Sequence, residues 1–405
     1  MRFRLLYILA VFCWIAYPVQ FLFNLPVTPR QLMAVVMFLA CCVEEKKPYW
    51  IDKYFSIYLI YILFYFISCV AEGFFEEGLR RMIGDFFVAY VAYWSTKIIC
   101  IKYKSTHYLI YTLIAIGVFD AIITICQVAH ITFFDDFLKT FQLIGYDKMN
   151  LLEDRELMGL AIPGIMSSPV TNGHILLLSS ILSLYLCRDR FNVLGVVCFL
   201  VIIGGAFFAQ LRSSFFLALL LSVFVVYKIV VSKRTTTKVV LLIALLLGVI
   251  YGGSYLYNIV TTGSNRYADM GMEANGRDVI YKVAFNYILE NPIFGSYNAF
   301  VYHYGMYPHN FFLGAYLHAG IIGFIAVVTL AVKQQFLSIK ICFSKKEKNT
   351  VLTVILASII IGLFGNGITH NISLANGDVM TWLIWGALIC NLKSDNIIFN
   401  DKMIK

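Results

Sequence analysis

Three short stretches carry residue types suited to chemistry in a chain otherwise dominated by apolar side chains. The first is Gln210-Leu211-Arg212-Ser213-Ser214, set between two apolar runs. From Phe191 to Val231 the chain is long enough for two membrane crossings, about 60 Å of helix at about 1.5 Å per residue, so the turn between them must be tight. Ser213 is expected to cap the returning helix, which would aim free backbone N–H groups outward beside the Arg212 guanidinium. That equipment suits an anion, and it equally suits an arginine snorkelling to lipid phosphates.

The second stretch centres on Arg277. Between Gly276 and Glu290 the residues Ile280, Val283, Ala284, Tyr287 and Ile288 follow helical spacing, which predicts an amphipathic helix over about 276–290. Asn275 is placed to cap its start, and Asn291-Pro292 to end it. A cation in the first turn opposes the helix dipole, and either a bound phosphate or neighbouring Asp278 would relieve the conflict. The third stretch, Tyr307-Pro308-His309-Asn310, runs directly into Phe311-Phe312-Leu313. His309 or Asn310 is expected to cap the next helix, which leaves an imidazole at an interfacial helix N-terminus. There it can donate to an oxyanion or accept a proton near neutral pH.

Other residues carry weaker signals. Asp120 falls inside an apolar segment, where an ionisable group is costly and often functional. His318 is expected to pack. His130, His174 and His370 sit at outer helix ends without metal-binding spacing. Glu153, Asp154, Glu156, Asp269 and Glu273 read as solvated loop charges. The ten cysteines all lie in or beside apolar segments and form no CxxC pair, so neither a disulfide framework nor a zinc site is indicated.

The elements that must position these groups are membrane helices. The chain is 60% hydrophobic and 14% charged, against roughly 45–50% apolar residues in a soluble domain. The fold class is therefore all-α and polytopic, a single integral membrane domain over residues 1–405. About twelve crossings are expected: Leu5–Phe23, Gln31–Val43, Tyr54–Ala71, Ile83–Ile101, Tyr108–Ala129, Gly173–Cys187, Phe191–Ala209, Ser213–Val231, Val239–Tyr257, Phe311–Val332, Val351–Ile368 and Val379–Leu392. The first apolar run is read as a retained helix rather than a leader. Most of the 32 Lys and Arg residues fall in alternate loops that include Lys46, Lys47, Arg188, Arg190, Lys233 and Lys345. By the positive-inside rule, that pattern puts both termini in the cytoplasm and a large loop, residues 258–310, outside between helices nine and ten. The charge of +9 follows these blocks, so a nucleic-acid partner is rejected. No P-loop, GxGxxG or Asp-x-Asp pair occurs, which argues against a nucleotide-activated donor.

These features resemble those of one known family. Gly276-Arg277, Glu290-Asn291-Pro292-Ile293-Phe294-Gly295, Pro308-His309-Asn310-Phe311-Phe312-Leu313 and Gly320-Ile321-Ile322-Gly323, together with Arg212 in the preceding turn, resemble the signature of the bacterial O-antigen ligase and polymerase superfamily. The resemblance covers Arg212 to Gly323 and implies a metal-independent, inverting glycosyltransferase of the bacterial inner membrane, active on the periplasmic side without a cofactor. It implies a donor in which a glycan is linked to undecaprenyl diphosphate. A repeat-unit polymerase of O-antigen or a related surface polysaccharide is the favoured reading; the alternatives are an O-antigen ligase that transfers glycan to lipid A core, and a lipid-linked glycan transporter. Arg212, Arg277 and His309 would then be catalytic, with Arg266, Asp278, Tyr307 and Asn310 as substrate contacts. Membrane lipids and a chain-length regulator protein are the further partners implied.

Overall fold

The computed structural model describes residues 2–15, 28–45, 52–129, 131, 133, 162–166, 168–188, 192–231, 277–305, 307–344, 350–370 and 373–394. Among these the only regular elements are helices: α1 (Arg2–Ile15), α2 (Pro29–Glu44), α3 (Lys53–Ala71), α4 (Phe75–Arg81), α5 (Phe87–Ile101), α6 (Thr106–Val128), α7 (Pro169–Ser183), α8 (Val193–Phe208), α9 (Arg212–Val231), α10 (Arg277–Glu290), α11 (Tyr297–Tyr304), α12 (Phe311–Phe343), α13 (Val351–Thr369) and α14 (Val379–Ser394). Six stretches, Lys53–Ala71, Thr106–Val128, Pro169–Cys187, Arg212–Val230, Phe311–Phe343 and Val351–Thr369, are long and apolar enough to cross a membrane. The chain is a polytopic membrane protein. The expected ninth segment, Val239–Tyr257, lies outside the described residues, as do Arg266, His130 and the acids from Glu153 to Glu156 and at Asp269 and Glu273.

Local chemistry starts these helices where polar residues interrupt apolar runs. Thr28 and Gln31 form a reciprocal capping box at α2, Asp52 accepts from Tyr54 and Phe55 at α3, Ser168 caps α7 and Asn192 caps α8. The core of the bundle is α14, whose Trp382 and Trp385 are fully buried. Trp382 packs against Phe55, Tyr58 and Tyr93, and Trp385 against Tyr54. A helix that is apolar all round is stable only when surrounded, and here α5 and α13 flank it.

Polar contacts gather at two opposite ends. At one, Lys97 and Tyr93 meet Asp52, and Lys102 meets Glu44. At the other, Arg81 bridges Glu77 and Asp85, and Arg30 also reaches Asp85. The loops that alternate in the sequence therefore separate in space.

One element departs from expectation. Helix α12 runs 33 residues, well past Val332, and is broken at Gly320, whose φ of 57° and ψ of −167° are not helical. The segment Asn291–Ser296 closes against this break. Ser296 N donates to Leu317 O at 3.0 Å, Ile321 N to Pro292 O at 3.1 Å, and the Tyr316 hydroxyl to Pro292 O at 3.1 Å. Backbone groups freed by a helix break in lipid need such partners. The approach is so close that a Cβ on Gly320 would stand 1.8 Å from the Ile293 carbonyl oxygen, and one on Gly295 2.2 Å from that of Leu317. Above the break, Ile280, Ala284 and Ile288 of α10 pack with Tyr297 and Phe300 of α11 and Leu317 of α12 as a second small core. The predicted amphipathic helix thus forms, starting at Arg277 and ending before Asn291; its proposed cap, Asn275, lies outside the described residues. Glu72, at the end of α3, accepts from Ala299 N at 2.8 Å and ties α11 to the bundle.

Gly320→Ala should cost at least about 2 kcal/mol, because both the left-handed backbone and the carbonyl contact resist a side chain. Gly305→Ala, where φ is 67° but nothing lies within 4 Å, should cost about 1 kcal/mol. Thermal melting of the detergent-solubilised chain compares them, and equal losses at the two positions would contradict the close-approach argument.

Candidate functional site

The turn between α8 and α9 is made by Ala209, Gln210 and Leu211. Gln210 takes a left-handed backbone, φ 56°, and donates its N–H to Phe207 O at 3.1 Å. Non-glycine residues adopt this region rarely. Because the chain reverses there, Arg212 is already the first residue of α9 and Ser213 is not its cap, which corrects the sequence expectation. Arg212 is half-buried, and the Ser213 side chain turns inward instead.

What Ser213 meets is a buried polar chain. Its Oγ lies 2.8 Å from His370 Nε2 and donates to Asn366 Oδ1 at 3.2 Å; Ser214 Oγ donates to the same Oδ1 at 2.9 Å. Asn366 Nδ2 stands 2.9 Å from His174 Nδ1, and His174 Nε2 stands 3.3 Å from Asp378 Oδ2. Asp378 accepts from the backbone N–H groups of Met380 (3.1 Å) and Thr381 (3.0 Å), and from the Thr381 hydroxyl, so it also caps α14. His174 and Asn366 are fully buried and Asp378 nearly so. Burial alone would raise the Asp378 carboxyl, but His174 and the Thr381 donors outweigh it and hold the group below the usual carboxylate range.

The Pro308-His309-Asn310 segment approaches from the other side. Asn310 caps α12, accepting from Phe312 N at 2.8 Å and Leu313 N at 3.2 Å. His309 precedes it with a left-handed backbone, φ 45°, and is half-buried. A narrow cleft lies between this segment and the end of α13, lined by Pro308, Asn310, His370, Asn376, His318 and Tyr297. His318 does pack: it is buried, hydrogen-bonded to the Tyr61 hydroxyl at 3.2 Å and set against Tyr297 with ring centroids 3.7 Å apart. The Tyr61 and Tyr58 hydroxyls also donate to the carbonyls of Ala375 and Leu374, fixing the short helical turn Leu374–Asn376 as the cleft's far wall.

Arg277 enters through α10. Tyr281, one turn after it, aims its hydroxyl at the His309 carbonyl oxygen at 3.4 Å, so the start of α10 lies near the His309 segment. The side chains of Arg277 and Asp278 lie outside the described residues. Tyr307 is exposed beside the cleft. The structure thus joins Ser213, the residue after Arg212, to His370, places His370 and Asn310 in one cleft lining, and sets Tyr281 of the helix that opens with Arg277 against the His309 carbonyl. Asp120 stays apart from this site. Its Oδ1 accepts from Ile165 N at 2.9 Å, deep against the 162–166 segment.

Sequence reasoning missed the roles of His370, Asn366, His174 and Asp378. The available signal was the isolation of Asn366 in an apolar helix and of Asp378 just before one, because a polar group buried there needs a partner. The chain matches no model of a known protein family, and no characterised protein matches it.

An unfolded aspartate titrates at about 3.9. The depressed folded value means that Asp378 stabilises the fold above that pH, and that this stability is lost as pH falls through the folded value. The melting temperature of the wild type over Asp378→Asn should be constant from about pH 8 to 5 and shrink only below about pH 4. An advantage that fades near pH 6 would assign it to another group.

Proposed function

We propose that the protein polymerises undecaprenyl diphosphate-linked oligosaccharide repeat units of O-antigen or a related surface polysaccharide. It would work in the bacterial inner membrane with about twelve crossings and both termini in the cytoplasm. Its site would face the periplasm. The observation that carries the reading is a cleft lined by Pro308, Asn310 and His370, to which Ser213, the neighbour of Arg212, is joined through His370, while Tyr281 of α10 reaches the adjoining His309 carbonyl. The resemblance of the same residues to the O-antigen ligase and polymerase superfamily supplies the reaction.

In that reaction an acceptor hydroxyl of one lipid-linked unit attacks the anomeric carbon of the growing glycan. The bond from that carbon to the diphosphate oxygen breaks, the configuration inverts, and the lipid diphosphate leaves with the bonding pair. Arg212 and Arg277 grip the diphosphate with forked, charge-assisted hydrogen bonds and stabilise the charge that develops on it. His309, at the capped start of α12, either orients the diphosphate or takes the hydroxyl proton. Arg266, Asp278, Tyr307 and Asn310 contact the substrate. A chain-length regulator protein is the expected partner.

Loss of either arginine should slow turnover by roughly ten- to a hundredfold, at about 1.5–3 kcal/mol per charged hydrogen bond. Arg212→Lys should rescue poorly, because lysine lacks the planar fork. Glycan length distributions from cells carrying Arg212→Ala, Arg212→Lys or Arg277→Ala at matched protein levels test this. In the deletion strain, core capped by a single repeat unit supports polymerase, whereas bare core with accumulated lipid-linked polymer would assign the ligase reaction instead.

A further inference from the structure

The buried chain behind Arg212 has a direction. The Asn366 side chain offers one acceptor oxygen and one donor nitrogen, facing opposite neighbours. Its Oδ1 takes the hydroxyl protons of both Ser213 and Ser214, at 3.2 and 2.9 Å. With its single proton committed there, Ser213 Oγ can meet His370 Nε2, at 2.8 Å, only as an acceptor, so His370 carries its proton on Nε2. On the other side Asn366 Nδ2 donates to His174 Nδ1, so His174 carries its proton on Nε2 and donates it to Asp378. Asp378 is itself fixed by the start of α14. Four elements, α7, α9, α13 and α14, are thereby joined through side chains that are all at least nine-tenths buried except that of Ser213.

We propose that Asp378, His174 and Asn366 are positioning residues of the transfer site: they hold Ser213, and through it fix the first turn of α9 that presents Arg212 and the tautomer of His370 at the cleft. None of the three touches the cleft. His370 lines it, opposite Asn310, and so is the group through which their order reaches the substrate. Burying so many polar groups is costly unless each is satisfied, and packing alone would be served as well by apolar side chains of the same shape. Beyond the stability that Asp378 contributes, the polar chain is therefore explained by orientation. The activity part of this proposal rests on the reading of the site as one of glycosyl transfer; the tautomer part does not.

The test sets polarity against shape in the full-length protein. His174→Gln keeps an amide N–H for Asp378 and an oxygen for Asn366, and Asn366→Gln keeps both an acceptor for the serines and a donor for His174. His174→Phe and Asn366→Leu keep only the volume. Nitrogen-15 spectra of histidine-labelled protein, with His370→Gln to assign the signal, report the His370 tautomer, and glycan lengths in complemented deletion cells report activity. The two polarity-keeping variants should retain the Nε2-protonated His370 signal and wild-type lengths. The two shape-keeping variants should lose that single tautomer and lower turnover about tenfold, read as short glycans. Should they fail to accumulate, Ser213→Ala, which removes the link to His370 while Ser214 still occupies Asn366 Oδ1, should give the same two changes. Shape-keeping or Ser213→Ala variants with a wild-type His370 signal would overturn the proposal. So would a changed signal with wild-type glycan lengths, provided that Arg212→Ala shortens them. If Arg212→Ala leaves glycan lengths untouched while the tautomer responds as expected, the transferase reading fails and the positioning chain stands.

Discussion

The break in α12 at Gly320 is the constraint on which the cleft end of the molecule depends. A helix that crosses lipid satisfies its own backbone, and interrupting it strands N–H and C=O groups where water is scarce. Here the stranded groups of Leu317 and Ile321 are taken up by Ser296 and Pro292, backbone to backbone. That exchange requires contact closer than any Cβ permits, hence glycine at 320 and 295. It welds the segment after α10 to a membrane helix, so that α10 and α11 have a floor to pack on at Leu317. The position of the His309 segment follows, because Tyr281 on α10 reaches its carbonyl and Asn310 caps the helix that the break divides.

A second system, built from side chains, holds the opposite wall of the cleft. In a bundle core the effective dielectric is low, which strengthens a satisfied polar contact and makes an unsatisfied one expensive. The chain from Asp378 through His174 and Asn366 to Ser213 and Ser214 is continuous, and it ends at His370 on the cleft. The two walls are therefore built differently. One is set by a backbone docked into a helix break, the other by hydrogen bonds that join α7 and α9 to α13 and α14, more than a hundred residues further along the chain.

These constructions explain what could be read from the sequence. Apolar runs and the polar residues that punctuate them marked the helices, the amphipathic α10, the packing role of His318 and the cap at Asn310, because each is a local pattern with a period or a boundary. Arg212 and His309 stood out for the same reason. The start of α9 was misplaced by one residue because nothing about Gln210 announces a left-handed turn, and that shift moved Ser213 from a capping role to an inward one. The buried chain was illegible since its links join positions 204 and 192 apart, and no spacing encodes such pairings. Gly320-Ile321-Ile322-Gly323 reads as ordinary apolar helix; only the partner backbone reveals the break.

Arg212 and Arg277 share a feature that neither wall explains by itself: each is the first residue of its helix. A cation at that end opposes the helix dipole, and α9 has no acid in its first turn to offset it. The residues that lead into the site add strain of the same sign, since Gln210 and His309 both hold left-handed backbones without being glycine. Local stability would favour an acid or a neutral cap at Arg212 and a glycine at His309. A diphosphate bound there would offset the charge conflict at both helix starts, because helix N-termini and guanidinium groups each favour an anion. On the proposed reading, then, helix starts that carry a cation favour an anionic substrate, and the two rigid walls hold them in place for the lipid-linked diphosphate.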